Sequence, residues 1–436
     1  MYRRDFLVRT GILVGTAALS YALKNTEALL AAEAKTTPLS WDDVRKAFDL
    51  APDRIHMSAF FLASHPKPVR DAIEEHRRAF DLNPIEYWFA NEPKCEAAVL
   101  AAAAHRLGVD PGEIALTDST TMGLGLLYSG LKLRPDQEIL TTTHDHYSTE
   151  TSLRLRAERT GASLRRISLY KDGEPTAVSQ IVENLSQAVR PQTRVVAVTW
   201  VHSCTGVKLP IGAMADALRR INASRDEQDR ALLCVDGVHG LGVDAVTMPD
   251  LSCDFFIAGT HKWIFGPRGT GLVWGTPAAW KVATATVPTF DEETYEQWMG
   301  VRPPKAVPVG PTMTPGGFHS FEHRWALDKA FLWHEQIGRH RIADRIQSQN
   351  RQLKEGLAKM SKVKLYTPMS DEVSAGIVCF DVNGMCADET VERLRKKNII
   401  ASVTPYKTHY ARLAPSLVTS PQEVDTTLAA VREIAA

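Results

Sequence analysis

The sequence lacks an excess of charge of either sign. Its 436 residues contain 51 Lys and Arg side chains and 51 Asp and Glu side chains, so the formal net charge is zero. Proteins that bind nucleic acid or an anionic membrane carry a surplus of basic residues on the binding face. We therefore expect no nucleic-acid partner. With 44% hydrophobic residues, the chain has the composition of a globular protein with a large core.

Metal-binding patterns are also missing, and the sequence has no internal repeat. The six cysteines include no CxxC pair and no cluster spaced with histidine, which argues against a zinc site. Cys234, Cys253 and Cys379 lie in or beside apolar runs, where cysteine acts as a small hydrophobe. The run His144-Asp145-His146 offers three possible ligands, but groups so close in sequence seldom converge on one ion. We predict no metal site.

The apolar run near the N-terminus, from Gly11 to Leu23, is shorter than the roughly 20 residues of a membrane-spanning helix, and it contains Gly15 and Ser20. It follows the twin-arginine pattern Arg3-Arg4 and precedes the small-residue site Ala32-Glu33-Ala34. This arrangement is typical of a twin-arginine (Tat) export signal. We predict a signal peptide over residues 1–34, recognition by the Tat export machinery and a periplasmic location. An uncleaved membrane anchor is the alternative.

Short apolar runs alternate with helical patterns along most of the chain, which predicts a mainly parallel sheet of about seven strands with helices on both faces. The Pro-rich segment Val301 to Gly317 is too rich in proline for a regular element and marks a boundary. Beyond it the pattern predicts a smaller α+β domain. We place the large domain at residues 61–305 and the small C-terminal domain at 306–436. Within these domains, Pro93 to Leu107 and Trp325 to Ser348 are predicted to be single helices, the first beginning at its proline.

The stretch from Leu232 to Gly275 places an acid and a lysine after successive apolar runs. The run Ala231 to Val235 leads to Asp236, and the run Phe255 to Gly259 leads to Thr260-His261-Lys262. In open α/β sheets, the carboxyl ends of the strands meet at the crevice where ligands bind. A lysine and a carboxylate there are the protein groups that pyridoxal 5'-phosphate (PLP) needs, because the lysine forms the Schiff base and the carboxylate protonates the pyridine nitrogen.

The residues around this lysine resemble a known family. The segment Gly259-Thr260-His261-Lys262-Trp263, followed by Gly266-Pro267-Arg268-Gly269-Thr270-Gly271, resembles the lysine segment of class V aminotransferases, especially the isopenicillin N epimerase-like branch with its HKW. The resemblance runs from about Ile55 to the C-terminus. It implies PLP fold type I, a homodimer, and an N-terminal segment (35–60) that packs on the small domain. It also implies that Lys262 and Asp236 are catalytic and that Thr260 and His261 help to bind the cofactor.

Further cofactor-binding residues follow from the same resemblance. The turn Ser119-Thr120-Thr121-Met122-Gly123 resembles the family's phosphate turn, and the free N–H groups of a helix N-terminus suit a phosphate. We assign Thr120 and Thr121 to it. A ring that stacks on the PLP face is expected after the next strand, where His146 and Tyr147 are both candidates.

Three other positions carry expectations from the resemblance. Ser203 and His239 fall near the cofactor's phenolic oxygen, at positions where the family commonly has Asn and Gln. Arg412, in Tyr410-Ala411-Arg412-Leu413, resembles the arginine that binds the substrate carboxylate through two parallel hydrogen bonds. Phe318 replaces the threonine of a GT motif that reaches the phosphate of the neighbouring subunit.

The resemblance implies an exported PLP-dependent enzyme that acts at the α-amino carbon of an amino acid or a peptide-borne residue, as an aminotransferase or an epimerase. Its substrate would be a small molecule or peptide with an α-amino group. One alternative is a tailoring enzyme of a peptidic natural product such as a siderophore, with oxidative or decarboxylating chemistry. Another is a PLP-binding protein without catalysis. Cysteine desulfurase activity is disfavoured, because the segment from Ser402 to Ala411 contains no cysteine for the mobile loop of those enzymes.

Overall fold

A computed structural model describes residues 39–301 and 309–436. The predicted signal peptide and the predicted boundary between residues 305 and 306 lie outside these ranges. In chain order the strands are β1 (Ile55–His56), β2 (Ile114–Thr117), β3 (Glu138–Thr142), β4 (Ser163–Ile167), β5 (Thr193–Thr199), β6 (Leu232–Asp236), β7 (Phe255–Gly259), β8 (Gly271–Gly275), β9 (Val363–Leu365), β10 (Val378–Val382), β11 (Ile399–Ile400), β12 (Ser402–Val403) and β13 (Ala411–Leu413).

The α-helices are distributed along the whole described chain. They are α1 (Trp41–Lys46), α2 (Lys67–Leu82), α3 (Pro84–Leu107), α4 (Thr120–Gly130), α5 (Tyr147–Thr160), α6 (Val178–Ala188), α7 (Ile211–Asn222), α8 (Met248–Leu251), α9 (Pro277–Trp280), α10 (Glu292–Trp298), α11 (Val309–Met313), α12 (Phe321–Trp325), α13 (Leu327–Ile337), α14 (Arg339–Ala358), α15 (Ala387–Lys396) and α16 (Pro421–Ile434). None of these helices is both long enough and apolar enough to cross a membrane.

A seven-stranded sheet forms the centre of the larger part of the molecule. Its strand order is β2-β8-β7-β6-β5-β3-β4. The pairs from β7 through β4 are parallel, whereas β8 is antiparallel to both of its neighbours. The prediction of a mainly parallel sheet of this size is therefore confirmed.

The central strands β5, β6 and β7 are buried along their whole length. Alternate residues enter two different cores: Leu233 and Val235 of β6 pack on one face of the sheet, and Leu232 and Cys234 pack on the other. Helices α3, α6, α7 and α13 contribute to the first core, and α4, α5, α9 and α11 contribute to the second. A strand covered on both faces has no polar side, which explains the continuous apolar runs in the sequence.

A smaller antiparallel sheet, of order β12-β13-β10-β9, lies in the C-terminal part. Helices α14 and α16 cover it with residues such as Leu353 and Val431, which pack with Val378 and Phe380 of β10. The short strand β1 pairs with β11 in parallel, with Ile55 opposite Ile399. The chain that precedes the large sheet is thus joined to the C-terminal part.

Three predictions of local structure were wrong. The segment Val301 to Gly317, expected to contain no regular element, includes the short helix α11 (Val309–Met313). Helix α3 begins at Pro84, so Pro93 lies inside it, and the alanine-rich second half of the helix is buried in the core. This packing outweighs the hydrogen bond that an interior proline removes. The predicted helix from Trp325 to Ser348 is divided among three helices: α12 ends at Trp325, and Gly338, whose φ of 96° no right-handed helix accommodates, separates α13 from α14.

Candidate active site

The two central strands bring an acid and a lysine to the same edge of the large sheet. Asp236 is the last residue of β6, and β7 ends three residues before Lys262. The strands are parallel neighbours, with Asp236 opposite Ile257. Lys262 lies in the loop that leaves β7 at Gly259 and returns to β8 at its register partner Gly271. The sheet therefore fixes both ends of the loop that carries the lysine.

Asp236 is almost completely buried, with 3% of its surface exposed. Burial raises the pKa of its carboxyl to about 6, while the hydrogen bond from the Val238 N–H and the positive charge of Lys262 oppose that rise. The Val238 N–H donates to Asp236 Oδ1 over 3.1 Å. Gly237 allows this turn to form, because a Cβ at this position would lie 2.0 Å from the ring of Phe256.

The Lys262 Nζ lies 3.2 Å from His239 Nε2. Burial lowers the pKa of this lysine to about 8, although the Asp236 carboxylate acts in the opposite direction. Burial and the charge of Lys262 hold the pKa of His239 well below its usual range, so its ring is neutral. A neutral ring that accepts at Nε2 carries its proton on Nδ1. Lys262 thus combines nucleophilic character near neutral pH with a fixed direction.

The residues predicted to bind the phosphate lie at the N-terminus of α4. The Ser119 hydroxyl caps this helix by accepting the Met122 N–H over 3.1 Å. The N–H groups of Thr120 and Thr121, in the first turn, have no acceptor within the helix. The Thr120 hydroxyl accepts the Gly259 N–H over 2.8 Å, and it therefore joins the helix end to the strand that leads to Lys262.

The two residues before the lysine differ in their surroundings. Thr260 is fully buried, and its hydroxyl lies 2.5 Å from that of Thr270, so it closes the base of the lysine loop. His261 has a buried Nδ1 without a hydrogen-bond partner among the described residues. Burial lowers the pKa of His261 to about 4, assisted by the charges of Lys262 and Arg268. A buried imidazole nitrogen without a partner is available to a ligand.

Of the two ring candidates, the structure brings His146 to the site. His146 caps α5, where its Nδ1 accepts the Ser148 N–H over 3.2 Å. Its ring meets the edge of the Tyr406 ring at 6.0 Å, beside Ser203. Burial lowers the pKa of His146, and so do the positive charges of Lys262 and Arg412. Tyr147 is 73% exposed on the surface of the monomer.

Arg412 forms the opposite side of the site and is 2% exposed. Its Nε donates to the Ser402 hydroxyl over 3.2 Å, and its two terminal nitrogens donate to the carbonyls of Ser203 (3.1 Å) and Val403 (2.8 Å). A guanidinium has five N–H groups, so two remain for a carboxylate. The ring of Phe60 lies over the guanidinium at 4.8 Å.

Two residues of the site were not found by sequence reasoning. Phe60 contacts the face of Arg412, and its ring centroid lies 5.7 Å from that of His239. The Tyr406 hydroxyl lies 2.8 Å from the Ser203 hydroxyl, and the Tyr406 ring meets the edge of His146 at 6.0 Å. Neither residue belongs to a recognisable motif. The parallel bridge between Ser58 and Ala414 brings Phe60 here, and the loop between β12 and β13 brings Tyr406.

The arrangement fits PLP. An amine for the aldehyde, an acid for the ring nitrogen and helix N–H groups for the phosphate lie at one sheet edge, and His239 and His261 each have a buried Nδ1 without a partner among the described residues. Within the same residues, no group of three or more His, Cys, Asp or Glu side chains is placed to hold a metal ion. Fold and site together define a PLP-dependent enzyme of the α/β type.

Comparison with known proteins gives the family. The model of the family described as Aminotransferase class-V matches residues 101–405. The chain belongs to the class-V aminotransferase family, and its cofactor is PLP.

Curated relatives of the chain carry two different activities in their names. The chain is 24% identical over 397 residues to isopenicillin N epimerase of Streptomyces clavuligerus, an alignment that covers 88% of this chain and 96% of the relative. It is 26% identical over 279 residues to a cysteine desulfurase of Salmonella gallinarum, which covers 62% of each.

Solved structures agree with the fold. A mutant of C-DES with glycine covalently linked to its PLP cofactor superposes with a TM-score of 0.78 at 20% identity, over 89% of this chain and 99% of that one. The apo structure of the cysteine desulfurase from Thermococcus onnurineus NA1 gives a TM-score of 0.76 at 20% identity, over 92% of this chain and 99% of that one.

Proposed function

We propose that this protein is an exported PLP-dependent enzyme that epimerises or transaminates at the α-amino carbon of an amino acid or a peptide-borne residue. The observation that carries the proposal is the convergence of Lys262, Asp236 and Arg412 on one crevice. These residues supply an amine, an acid and a carboxylate-binding guanidinium, which are the protein groups that chemistry at an α-amino carbon requires.

When bound, PLP supplies an electron sink for the carbon next to the substrate nitrogen. Lys262 would hold the cofactor through its Nζ, and the same amine would serve as the base that moves the proton at Cα. A pKa of about 8 leaves part of this amine unprotonated near neutral pH. Asp236 would keep a proton on the pyridine nitrogen, and its burial excludes the water that would weaken this interaction.

Other residues orient the reactants. The two N–H groups that Arg412 leaves free would bind the substrate carboxylate, which sets the Cα bond that lies perpendicular to the cofactor ring. The neutral ring of His146 is our candidate for stacking on the cofactor, since Tyr147 faces solvent in the monomer. His239, Ser203, Thr120, Thr121 and His261 are assigned to the remaining cofactor contacts.

Epimerisation is supported by the similarity to isopenicillin N epimerase, which extends over 88% of this chain. Epimerisation and transamination differ in the fate of nitrogen. The purified holo-protein should be incubated in deuterium oxide with D- and L-amino acids and small peptides, with and without a keto acid. Exchange at Cα that needs no keto acid and retains nitrogen supports epimerisation. Formation of a keto product only with a keto acid supports transamination, and no reaction under any condition supports a non-catalytic PLP-binding protein.

Several of the relatives are cysteine desulfurases, but this chain lacks the loop thiol which that activity requires. The loop between β12 and β13 presents Tyr406 to the site and contains no cysteine. Cys379 is the register partner of Arg412, and Cys204 follows Ser203, whose carbonyl accepts from Arg412. Burial raises the pKa of both thiols, in Cys379 to about 12. A thiol held protonated is a poor nucleophile.

Export is supported by the twin arginines at positions 3 and 4 and by the apolar segment that follows them. In this proposal the protein folds around PLP before it crosses the membrane. Cell fractionation should find it in the periplasm, and replacing Arg3 and Arg4 by lysine should retain it in the cytoplasm. A wild-type protein that stays cytoplasmic would contradict the location without affecting the chemistry. The alternative substrate class for an exported enzyme is a peptidic natural product such as a siderophore precursor, which belongs in the substrate panel.

A homodimer is supported by an exposed aromatic surface. Phe318 is 84% exposed, and its ring lies 6.3 Å from Trp88 and 6.0 Å from Phe321. Leu82, with 87% of its surface exposed, also belongs to the apolar side chains left open to solvent. Sedimentation should show a dimer that Phe318→Ser weakens, while Met369→Ser, at another exposed apolar position, leaves it unchanged. A wild-type monomer at micromolar concentration would contradict the dimer.

A further inference from the structure

A cavity lies outside the active site, between the part that contains the large sheet and the C-terminal part. Its volume is about 210 Å³. On one side it is lined by Lys208 and Asp244, which follow strands of the large sheet, and on the other by Asn350 and Lys354 of α14 and by the segment 374–378. This volume exceeds the roughly 150 Å³ of a cavity that binds benzene. It is large enough for a molecule the size of an amino acid.

The two lysines of this cavity differ in how fully their hydrogen bonds are used. The Lys354 ammonium donates to Ser374 Oγ (2.7 Å), to the carbonyls of Met369 (2.9 Å) and Pro368 (3.1 Å), and to Asp371 (3.2 Å), which occupies its three N–H groups. Lys208 contacts Asp244 over 3.1 Å and no other acceptor among the described residues. Two N–H groups of the Lys208 ammonium therefore remain for a ligand.

Asn350 supplies the second unused polar group. It is 4% exposed, and its Oδ1 is buried without a hydrogen-bond partner in the described part of the chain. Buried amide oxygens are nearly always paired, so an unpaired one at a cavity wall indicates a missing partner. An ammonium that accepts no hydrogen bond and an amide oxygen that donates none require different groups on the ligand. The first needs an anion, and the second needs a donor.

We propose that this cavity binds a small carboxylic acid with a neighbouring amino or hydroxyl group. The carboxylate pairs with Lys208, and the amino or hydroxyl group donates to Asn350 Oδ1. Before a ligand binds, the charges of the cavity lining balance, since Lys208 faces Asp244 and Lys354 faces Asp371. A balanced lining favours a zwitterion or a monoanion over a polyanion.

The cavity is connected to the active site through one loop. The backbone N–H of Lys208 donates to the Val373 carbonyl over 2.9 Å, and the Thr367 hydroxyl donates to the Thr205 carbonyl over 2.7 Å. The same loop carries Ser203, whose carbonyl accepts from Arg412. A ligand that joins Lys208 to α14 would hold this loop against the C-terminal part and thereby act on the position of Arg412. The site is therefore regulatory in this proposal.

Holo-protein reduced with borohydride, which cannot turn over, should be titrated with L-alanine, L-serine, L-glutamate and L-lactate, with acetate as the control. Hydrogen-deuterium exchange locates the binding, and calorimetry measures it. We expect saturable protection of residues 343–354 and 370–378 by at least one acid, with acetate much weaker. Lys208→Met and Asn350→Leu should each raise its Kd about tenfold or more. Lys171→Met, which removes a surface lysine beside Glu174, should leave the Kd unchanged.

Three results would overturn the proposal. Protection confined to residues 236–241 and 260–263 would place the acid in the catalytic crevice. The absence of protection at about 10 mM ligand, above the range of weak millimolar sites, would mean that the cavity holds only water. Equal binding of acetate would remove the role given to Asn350. Asn350 is buried, so Asn350→Leu could also disturb folding. Ala343→Phe fills the cavity from a half-buried position and provides a second variant, for which we expect the same loss of affinity.

Discussion

The two sides of the catalytic crevice are built differently. Lys262 and Asp236 follow buried parallel strands and have few polar partners, and burial moves the pKa of each towards neutrality. Arg412 lies within a strand of the small sheet and donates to three protein acceptors. Groups that must exchange protons are thus left under-solvated, whereas the group that positions the substrate is firmly held. The difference predicts which substitutions change chemistry and which change binding.

The largest effect is expected for Lys262→Ala. Without the amine there is neither a covalent attachment for PLP nor a base for Cα, so activity should fall by at least about 10³-fold. The visible absorption band and the borohydride-labelled peptide at this position should be lost, while the far-ultraviolet circular dichroism, which reports the fold, stays unchanged. Lys171→Ala, at an exposed position, is the control. Retained labelling of another lysine in the variant would contradict the assignment.

Asp236→Asn should lower activity by about 10²-fold, because a neutral amide cannot hold a proton on the pyridine nitrogen. In the cofactor-free protein, the same substitution should raise the stability of the fold at alkaline pH. The folded carboxyl has a pKa of about 6, above its ordinary 3.8, so its contribution to stability is complete below about pH 4 and is lost as the pH rises through 6. The variant should therefore gain stability over the wild type at pH 8 relative to pH 5 by about 1.4 kcal/mol, because the folded pKa lies only about one pH unit above the lower of these two pH values.

Thermal unfolding at the two pH values tests this prediction. An equal effect of the substitution at pH 5 and pH 8 would show that Asp236 is already ionised in the cofactor-free protein. Asp216→Asn, on the exposed surface of α7, should have no pH-dependent effect of this kind.

Arg412→Lys should act mainly on binding. A lysine cannot form the paired hydrogen bonds to a carboxylate, so KM should rise by about 10-fold to 100-fold with a smaller change in kcat. The carbonyls of Ser203 and Val403 would also lose donors, which should destabilise the fold by about 1 to 3 kcal/mol. Steady-state kinetics separate the two parameters, and Arg393→Lys, on the surface of α15, is the control. A loss in kcat alone would mean that Arg412 does not contact the substrate.

The smallest effect is expected for Phe60→Leu. The substitution keeps an apolar side chain but removes the aromatic face from the Arg412 guanidinium, an interaction worth about threefold in affinity. KM should rise by about that factor. Phe61→Leu, at the neighbouring exposed ring, should leave KM unchanged. An equal change in both variants would assign the effect to the segment and not to the ring over Arg412.

The parts of the site that could be predicted from sequence are those that local pattern determines. Asp236 and Lys262 each follow an apolar run, and a strand buried on both faces leaves an unmistakable run. The choice between His146 and Tyr147 could not be made, because one residue of slip in the alignment exchanges them. In the structure the start of α5 distinguishes them, since the capping residue turns inwards and the first helical residue faces solvent.

Other features depend on contacts between distant parts of the chain. Phe60 reaches Arg412 because Ser58 bridges to Ala414 just after β13, and no periodicity in the sequence encodes that pairing. Pro93 is typical of a helix start, yet α3 begins nine residues earlier because its buried alanines favour the longer helix. The cavity beside Asn350 lies between elements far apart in sequence and had no signal at all.

The lysine loop starts and finishes at facing residues of adjacent antiparallel strands, Gly259 and Gly271. Both ends of the loop are consequently fixed by the sheet, and inserting or deleting a residue between Gly259 and Lys262 would either shift β8 out of register with β2 or move the reactive amine. During evolution, variation in chain length should accumulate in the other connections, while this segment changes only by replacement of side chains.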